Sequence, residues 1–131
     1  MNIDFDQLYS EAKKVLNPWK LSEFAESGGV GAALLTKKGN IYTGVCIDTS
    51  SSMGGCAEHF AAGTMINAGE NEIVAMIAVN WDGKIFPPCG RCREFISQLS
   101  PENLNTQVKV SENIVLSLKD LLPYDYKDLC S

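Results

Sequence analysis

The segment IVAMIAV, residues 73–79, constrains the fold of this 131-residue chain more than any other feature. It is continuously apolar, which is typical of a strand that is covered on both of its faces. Both faces of a sheet holding such a strand must be covered by other elements, because an uncovered face would leave apolar side chains in water. The segment therefore predicts a strand in the interior of the domain.

The remaining apolar patterns alternate between helix and strand. Residues 4–16 have helical spacing and are followed by Pro18, which ends a helix. Residues 30–36 and 41–47 predict an antiparallel hairpin. Further along, the patterns predict helices over 56–68 and 91–99, a short strand over 108–110, and a last helix over 117–122 with Ser117 as its N-cap. This order predicts one α/β domain over residues 1–131, a three-layer α/β/α sandwich around a mixed sheet.

Composition and charge narrow the class of protein. Hydrophobic residues make up 45% and charged residues 21% of the chain, as in ordinary globular domains. The net charge of −5 argues against a nucleic acid polymer as the main partner, because phosphate contacts need clustered Lys and Arg. No apolar run approaches the roughly 20 residues of a membrane span. Residues 1–10 carry Asp4 and Asp6 and do not resemble a secretory signal.

The five cysteines point to a metal or redox function. They are Cys46, Cys56, Cys89, Cys92 and Cys130. An odd number without a secretory signal argues against a disulfide framework, so we expect free thiols.

Two short motifs, CAE at residues 56–58 and PCGRC at residues 88–92, carry the chemistry. In each, a loop delivers a cysteine to the start of a predicted helix, where the partial positive charge favours the thiolate that binds zinc. Cys56, Cys89 and Cys92 give three ligands, and a catalytic zinc has three protein ligands and one position for water. Glu58 would point roughly 200° away from Cys56 on a regular helix, so we expect Cys56 to precede the regular helix.

Two other interpretations of these motifs stay open on spacing alone. A structural zinc would need a fourth protein ligand, and Cys46, His59 or Cys130 is a candidate for it. A redox pair of Cys89 and Cys92 would leave Cys56 and Glu58 without a role.

The chain resembles the cytidine deaminase family, specifically its small homo-oligomeric branch. The resemblance rests on VGAALLT (30–36) and GNIYTG (39–44) as an opening hairpin, on CAE and PCGRCRE (88–94) as the two metal motifs, and on LLP (121–123) near the C-terminus. It implies a mixed five-stranded sheet, one Zn²⁺ per subunit held by the three cysteines, and Glu58 as the proton carrier. It further implies hydrolytic deamination of a cytosine-type nucleoside such as cytidine or deoxycytidine, a homotetramer or homodimer, a cytoplasmic location and a role in pyrimidine salvage.

The resemblance also suggests residues around the metal and departures from the family pattern. The family's ribose-binding Asn and Glu correspond to Cys46 and Asp48, and His59 replaces the Arg that usually follows Cys-Ala-Glu. Arg91 and the aromatic ending LPYDY (122–126) are instead similar to blasticidin S deaminase, so a modified aminopyrimidine nucleoside is an alternative substrate. A non-catalytic zinc-stabilised binding domain is the alternative from a different class. The candidate substrate contacts are Cys46, Asp48, Ala57 and Tyr126, and the candidate groups around the metal are His59, Arg91 and Arg93.

Overall fold

The computed structural model describes residues 2–129, and Cys130, considered above as a metal ligand, lies outside them. The helices are α1 (Phe5–Lys14), α2 (Ala57–Asn67) and α3 (Gly90–Leu99). The strands are β1 (Trp19–Ser22), β2 (Ala25–Thr36), β3 (Ile41–Thr49), β4 (Ile73–Asn80), β5 (Ile85–Phe86), β6 (Gln107–Ser111) and β7 (Ile114–Ser117). Short 3-10 turns cover Ser50–Ser52, Pro101–Asn105 and Tyr126–Leu129. Within residues 2–129, no helix is both long and apolar enough to cross a bilayer.

All the strands belong to one mixed sheet. β2 pairs antiparallel with β3 and with β4, β6 runs parallel to β4, and β7 runs antiparallel to β6. The mixed sheet of the prediction is confirmed, but it has seven strands instead of five. The path β3-β2-β4-β6-β7 contains five strands, and the short strands β1 and β5 extend it by pairing with the start of β2 and the end of β4.

The three layers follow from the alternation of side chains along the central strand. Ala75 and Ile77 of β4 pack in a buried cluster with Leu8 of α1. Met76 and Ala78 belong to a second buried cluster, which includes residues of α2 and α3. Successive strand residues point to opposite faces, so α1 covers one face of the sheet while α2 and α3 cover the other. The predicted α/β/α sandwich and the double-sided burial of residues 73–79 are confirmed.

The predicted last helix at residues 117–122 is wrong. Ile114–Ser117 forms β7, and the chain continues in turns. Ser117 Oγ does accept a hydrogen bond from Asp120 N, at 3.1 Å, as an N-cap would. However, the backbone N–H groups of Asp120, Leu121 and Leu122 donate to carbonyls three residues back, not four. The β-branched and apolar residues at 114–116 favour a strand and pair with β6. Pro123 ends any helix that begins at Ser117, which leaves too few residues for one.

Gly44 allows α2 to lie directly against β3. A Cβ at this position would be 2.8 Å from the carbonyl oxygen of Ala57 and closer still to the backbone nitrogen of Ala61. Any larger residue would push the helix away from the strand. The missing side chain therefore allows the first turn of α2 to lie against β3 at Gly44.

Candidate active site

Two cysteines occupy the N-cap positions of the two helices on the same face of the sheet. Cys56 precedes α2 with φ −76° and ψ 157°, and Cys89 precedes α3 with φ −67° and ψ 166°. Both are extended backbone, so the expectation that Cys56 precedes the regular helix is confirmed. Two backbone hydrogen bonds between Ile47 and Gly55, at 3.0 and 2.9 Å, fix the chain just before Cys56.

The sulfur atoms of three cysteines form a compact cluster. Cys56 Sγ lies 3.5 Å from Cys89 Sγ, which lies 3.4 Å from Cys92 Sγ. A tetrahedral zinc with bonds of about 2.3 Å separates its sulfur ligands by about 3.8 Å, so small outward shifts would seat the ion. Of the residues at positions 2–129, these three alone form a set whose ligand atoms all lie within 4.8 Å of one another. The donor set and its spacing fit zinc.

Neither of the other candidate ligands inside the described region belongs to this cluster. Cys46 Sγ accepts a hydrogen bond from Val30 N at 3.3 Å and lies 3.9 Å from Asp48 Oδ2. His59 Nδ1 lies 3.3 Å from the sulfur of Cys92 alone. Every cysteine at positions 2–129 is a free thiol, as expected from the odd number of cysteines.

His59 is held in place by an aromatic contact. Its ring stacks on the ring of Phe95, with centroids 4.0 Å apart and planes at 14°. Burial, and to a smaller extent the positive charge of Arg91, lowers the pKa of His59. A neutral imidazole with a proton on Nδ1 donates to Cys92 Sγ, which would stabilise negative charge on that sulfur.

Without metal, the three thiols have different proton affinities. Burial, followed by the contact with Cys89, raises the pKa of Cys56 to about 11. Burial and the nearby negative charge of Glu58 raise the pKa of Cys92 as well. Burial also acts on Cys89, but hydrogen bonds from the backbone of Cys92 and from the neighbouring thiols outweigh it, so its pKa is lowered. Zinc binding must therefore displace protons from Cys56 and Cys92.

Glu58 is a buried carboxyl group in the first turn of α2. It is 4% exposed and lines a cavity that Cys56 and Cys89 also line. Burial raises the pKa of Glu58, because the charged form loses its hydration. The carboxyl is near the sulfur cluster without belonging to it, which suits a group that moves protons.

The cavity has a volume of about 480 Å³, enough for a small molecule. Four predicted residues line it besides Glu58, Cys56 and Cys89: they are Cys46, Asp48, Ala57 and Arg91. The sequence analysis missed other lining residues, including Thr49, Ser52, Phe86 and Pro87. Phe86 and Pro87 directly precede the PCGRC motif, so adjacency was a usable signal for them. Nothing in the loop composition at residues 48–55 indicated which side chains face inwards.

Four predicted residues do not line the cavity. Cys92 and His59 meet beside it, at the sulfur cluster, whereas Arg93 and Tyr126 make other contacts. The Arg93 guanidinium donates to the carbonyl oxygens of Pro88, at 2.9 Å, and Leu121, at 3.3 Å, and so ties the loop before Cys89 to the C-terminal segment. Tyr126 is 62% exposed and does not line the cavity within this chain. Beside it, Lys127 Nζ binds Ser97 of α3 at 2.6 Å and docks the C-terminal segment on that helix.

Comparison with known proteins identifies a family and several relatives that this chain resembles. Residues 7–107 match the family described as the cytidine and deoxycytidylate deaminase zinc-binding region. A cytidine deaminase from Halalkalibacterium halodurans is 33% identical over 100 residues, which cover 72% of this chain and 74% of the relative. A blasticidin-S deaminase from Bacillus cereus is 28% identical over 106 residues, covering 74% and 76% of the two chains.

Solved structures agree with the sequence relatives. The crystal structure of cytidine deaminase from Mycobacterium tuberculosis superposes with a TM-score of 0.80 at 26% identity, over 95% of this chain and 98% of the other. The chain belongs to the cytidine and deoxycytidylate deaminase family of zinc-dependent hydrolases.

Proposed function

We propose that this chain converts a cytosine-type nucleoside, cytidine or deoxycytidine, to the uracil-type product and ammonia. The observation that carries the proposal is a buried glutamate, Glu58, which shares one cavity with the cysteine cluster but is outside its ligand set. A purely structural metal site has no use for such a carboxyl. The names of the relatives from Halalkalibacterium halodurans and Mycobacterium tuberculosis support the cytosine ring as the reacting group.

We assign the metal to Cys56, Cys89 and Cys92. Zinc bound there would supply Lewis acidity and would lower the pKa of a water molecule towards about 7. Glu58 would take one proton from that water and deliver it to ring N3, and it would then carry the proton of the new hydroxyl on C4 to the departing amine. Its raised pKa suits this role, because a carboxyl with a higher proton affinity can hold the proton between the steps.

Three thiolates and a carboxylate would place several negative charges at one site. The helix N-termini and one hydrogen bond of the chain partly balance those charges. The N-termini of α2 and α3 point at the sulfur atoms, because Cys56 and Cys89 are the N-cap residues. His59 adds a hydrogen bond to Cys92. These contacts would draw electron density from the ligating sulfurs, and a less electron-rich metal would lower the pKa of its bound water further.

Substrate contacts are assigned from the cavity wall. Asp48 is exposed at the end of β3 and would accept hydrogen bonds from sugar hydroxyls. Cys46 lies two residues earlier on the same face of β3, and Ala57 is a small residue that leaves room for the ring. Tyr126, which lies outside the cavity of its own chain, would reach the site of a neighbouring subunit.

We further propose a homotetramer that works in the cytoplasm in pyrimidine salvage. Several large apolar side chains are exposed in the single chain, among them Phe24, Met53, Trp81 and Tyr124. Exposed apolar surface of this kind is typical of protein interfaces. Light scattering behind gel filtration should give four times the 14.3 kDa mass of the chain, whereas a monomer would contradict the assembly.

A substrate panel tests the activity. Zinc-loaded protein is mixed with cytidine, deoxycytidine and blasticidin S, and the loss of cytosine absorbance and the release of ammonia are followed. We expect turnover of cytidine or deoxycytidine. Turnover of blasticidin S alone would favour the blasticidin-type alternative, and no turnover at all with zinc bound would favour the non-catalytic binding domain.

A further inference from the structure

The imidazole of His59 contacts two side chains of α3. Its Nδ1 lies 3.3 Å from Cys92 Sγ, and its ring stacks on the ring of Phe95. His59 is the third residue of α2, so both contacts join the first turn of that helix to α3. Cys92 and Phe95 are three residues apart on α3 and therefore lie on one face of it. That face carries both a proposed metal ligand and the ring that contacts the ligand's hydrogen-bonding partner.

Stacking gives the imidazole an orientation that a histidine side chain does not have by itself. The χ2 torsion of histidine has broad preferences, so an imidazole in open surroundings turns through many planes. The ring centroids of His59 and Phe95 lie 4.0 Å apart, and the two ring planes differ by 14°. Turning out of this plane would separate two rings in contact, and an aromatic pair is favourable beyond the burial of its area.

The plane of the imidazole decides whether Nδ1 can donate to Cys92. The N–H of a ring nitrogen points outwards in the plane of the ring, and a hydrogen bond weakens steeply when its angle falls below about 120°. A ring that turned out of the stack would therefore lose the hydrogen bond to Cys92 Sγ, although His59 is still present. Cys92 is fully buried, so water is a poor replacement for the imidazole at that sulfur.

We infer that Phe95 is a positioning residue of the metal site: its ring holds the imidazole of His59 in the plane in which Nδ1 donates to Cys92 Sγ. The inference rests on the proposed function, which assigns zinc to the three cysteines. It adds a residue that is neither a metal ligand nor part of the cavity wall. A hydrogen bond to a ligating atom orients that atom, and loss of such a partner commonly weakens metal binding by roughly 10- to 100-fold.

Core packing is the competing role for Phe95. The side chain is partly buried against the cluster that contains Met76 and Ala78, so its truncation would loosen that cluster whatever His59 does. The two roles differ in their dependence on His59. A packing defect would act equally with and without the imidazole, whereas a positioning defect needs the imidazole to be present. A double-mutant cycle between positions 59 and 95 therefore separates the two roles.

The cycle consists of wild type, Phe95→Leu, His59→Ala and the double variant. Zinc dissociation constants are measured by indicator competition at one pH, and thermal unfolding reports the stability of each protein. We expect His59→Ala to weaken zinc binding by roughly 10- to 100-fold. Phe95→Leu should weaken it by roughly 3- to 10-fold, the strength of one aromatic pair. When His59 is already alanine, Phe95→Leu should change zinc binding by less than about twofold, the usual error of additivity.

Two control variants and a second readout accompany the cycle. Phe95→Tyr keeps the ring, so its zinc binding should stay near that of wild type. Phe5→Leu is the matched control, because it removes a partly buried ring on the opposite face of the sheet. In cobalt-substituted protein, a thiolate that has lost its hydrogen bond gives up electron density more readily. The sulfur-to-cobalt charge-transfer band should therefore move to longer wavelength in Phe95→Leu and His59→Ala, and should stay in place in both controls.

The outcomes also distinguish this inference from the proposed deamination. Equal losses of zinc affinity from Phe95→Leu with and without His59 would overturn the inference, and so would unchanged zinc binding in Phe95→Leu. Either result leaves the deamination standing, because turnover by wild type is measured separately. The expected coupling without turnover of any cytosine compound would support the inference and contradict the proposed activity. Protein that binds no zinc would overturn both.

Discussion

Replacement of Glu58 by glutamine tests the assigned proton carrier with little change in shape. The amide has the size of the carboxyl and fits the buried position, where the native side chain is 4% exposed. It cannot carry a proton between water, ring N3 and the leaving amine. General acid–base catalysis contributes about 10²- to 10⁴-fold, so kcat should fall by that factor. This fall corresponds to an activation barrier that is higher by about 3 to 5 kcal/mol.

Fold and zinc content should survive this substitution. Glu58 lies outside the set of metal ligands, and burial of its charged form is unfavourable, so a neutral amide leaves no unpaired charge behind. Ammonia release gives kcat, elemental analysis gives zinc per chain, and thermal unfolding reports the fold. The matched control is Glu70→Gln. Glu70 is similarly buried but outside the cavity, where it accepts hydrogen bonds from Tyr42 at 2.6 Å and Asn40 at 2.9 Å.

The control should retain full kcat with normal zinc. A kcat for Glu58→Gln within tenfold of the wild-type value would refute the assigned role. Loss of zinc together with activity would instead indicate that Glu58 is a metal ligand. The mechanism needs Glu58 to be a proton carrier separate from the metal ligands, so this result would contradict it.

Three further predictions concern stability and metal binding. Asn103→Ala should lower the free energy of unfolding by about 3 kcal/mol in denaturant titrations without changing kcat, because the buried amide bonds three backbone groups outside the cavity. The hydrogen bond from Tyr42 lowers the pKa of Glu70 below 4.5, so its stabilising effect is present above that pH and lost below it. On acidification from about pH 5 to about pH 3, the Tm of wild type should therefore decrease more than the Tm of Glu70→Gln. Equal decreases would contradict this. Because the pKa of Cys56 is about 11 and that of Cys92 is also raised, the zinc affinity of stripped protein should increase from about pH 7 to about pH 9 in an indicator competition, and a constant affinity would contradict it.

The features that sequence predicted well are those with a local signature. Residues 73–79 are apolar throughout, and that pattern alone requires cover on both faces of the strand. The position of Cys56 before its helix followed from the turn angle of an α-helix and the need to bring Glu58 to the same site. Both inferences depend on a few neighbouring residues, so no knowledge of the rest of the fold was needed.

The features that it missed depend on contacts between distant parts of the chain. The pattern predicts a helix over residues 117–122 because Ser117 is a good N-cap, and it gives no strand before that residue. Only pairing with β6 makes Ile114–Ser117 a strand. Arg93 shares the PCGRCRE motif, yet its guanidinium binds a carbonyl 28 residues away, at Leu121. The stacking partner of His59, Phe95, follows Cys92 by three residues, and helical spacing was a signal that pointed to it.

X-ray absorption at the zinc edge of purified protein is the most direct test of the central claim. The account predicts one zinc per chain with three sulfur neighbours at about 2.3 Å and one oxygen neighbour at about 2.0 Å. Substitution of Cys56, Cys89 or Cys92 by serine should remove one sulfur from that shell. A shell completed by a fourth protein ligand, such as His59, or protein that takes up no zinc, would contradict a hydrolytic metal site in this chain.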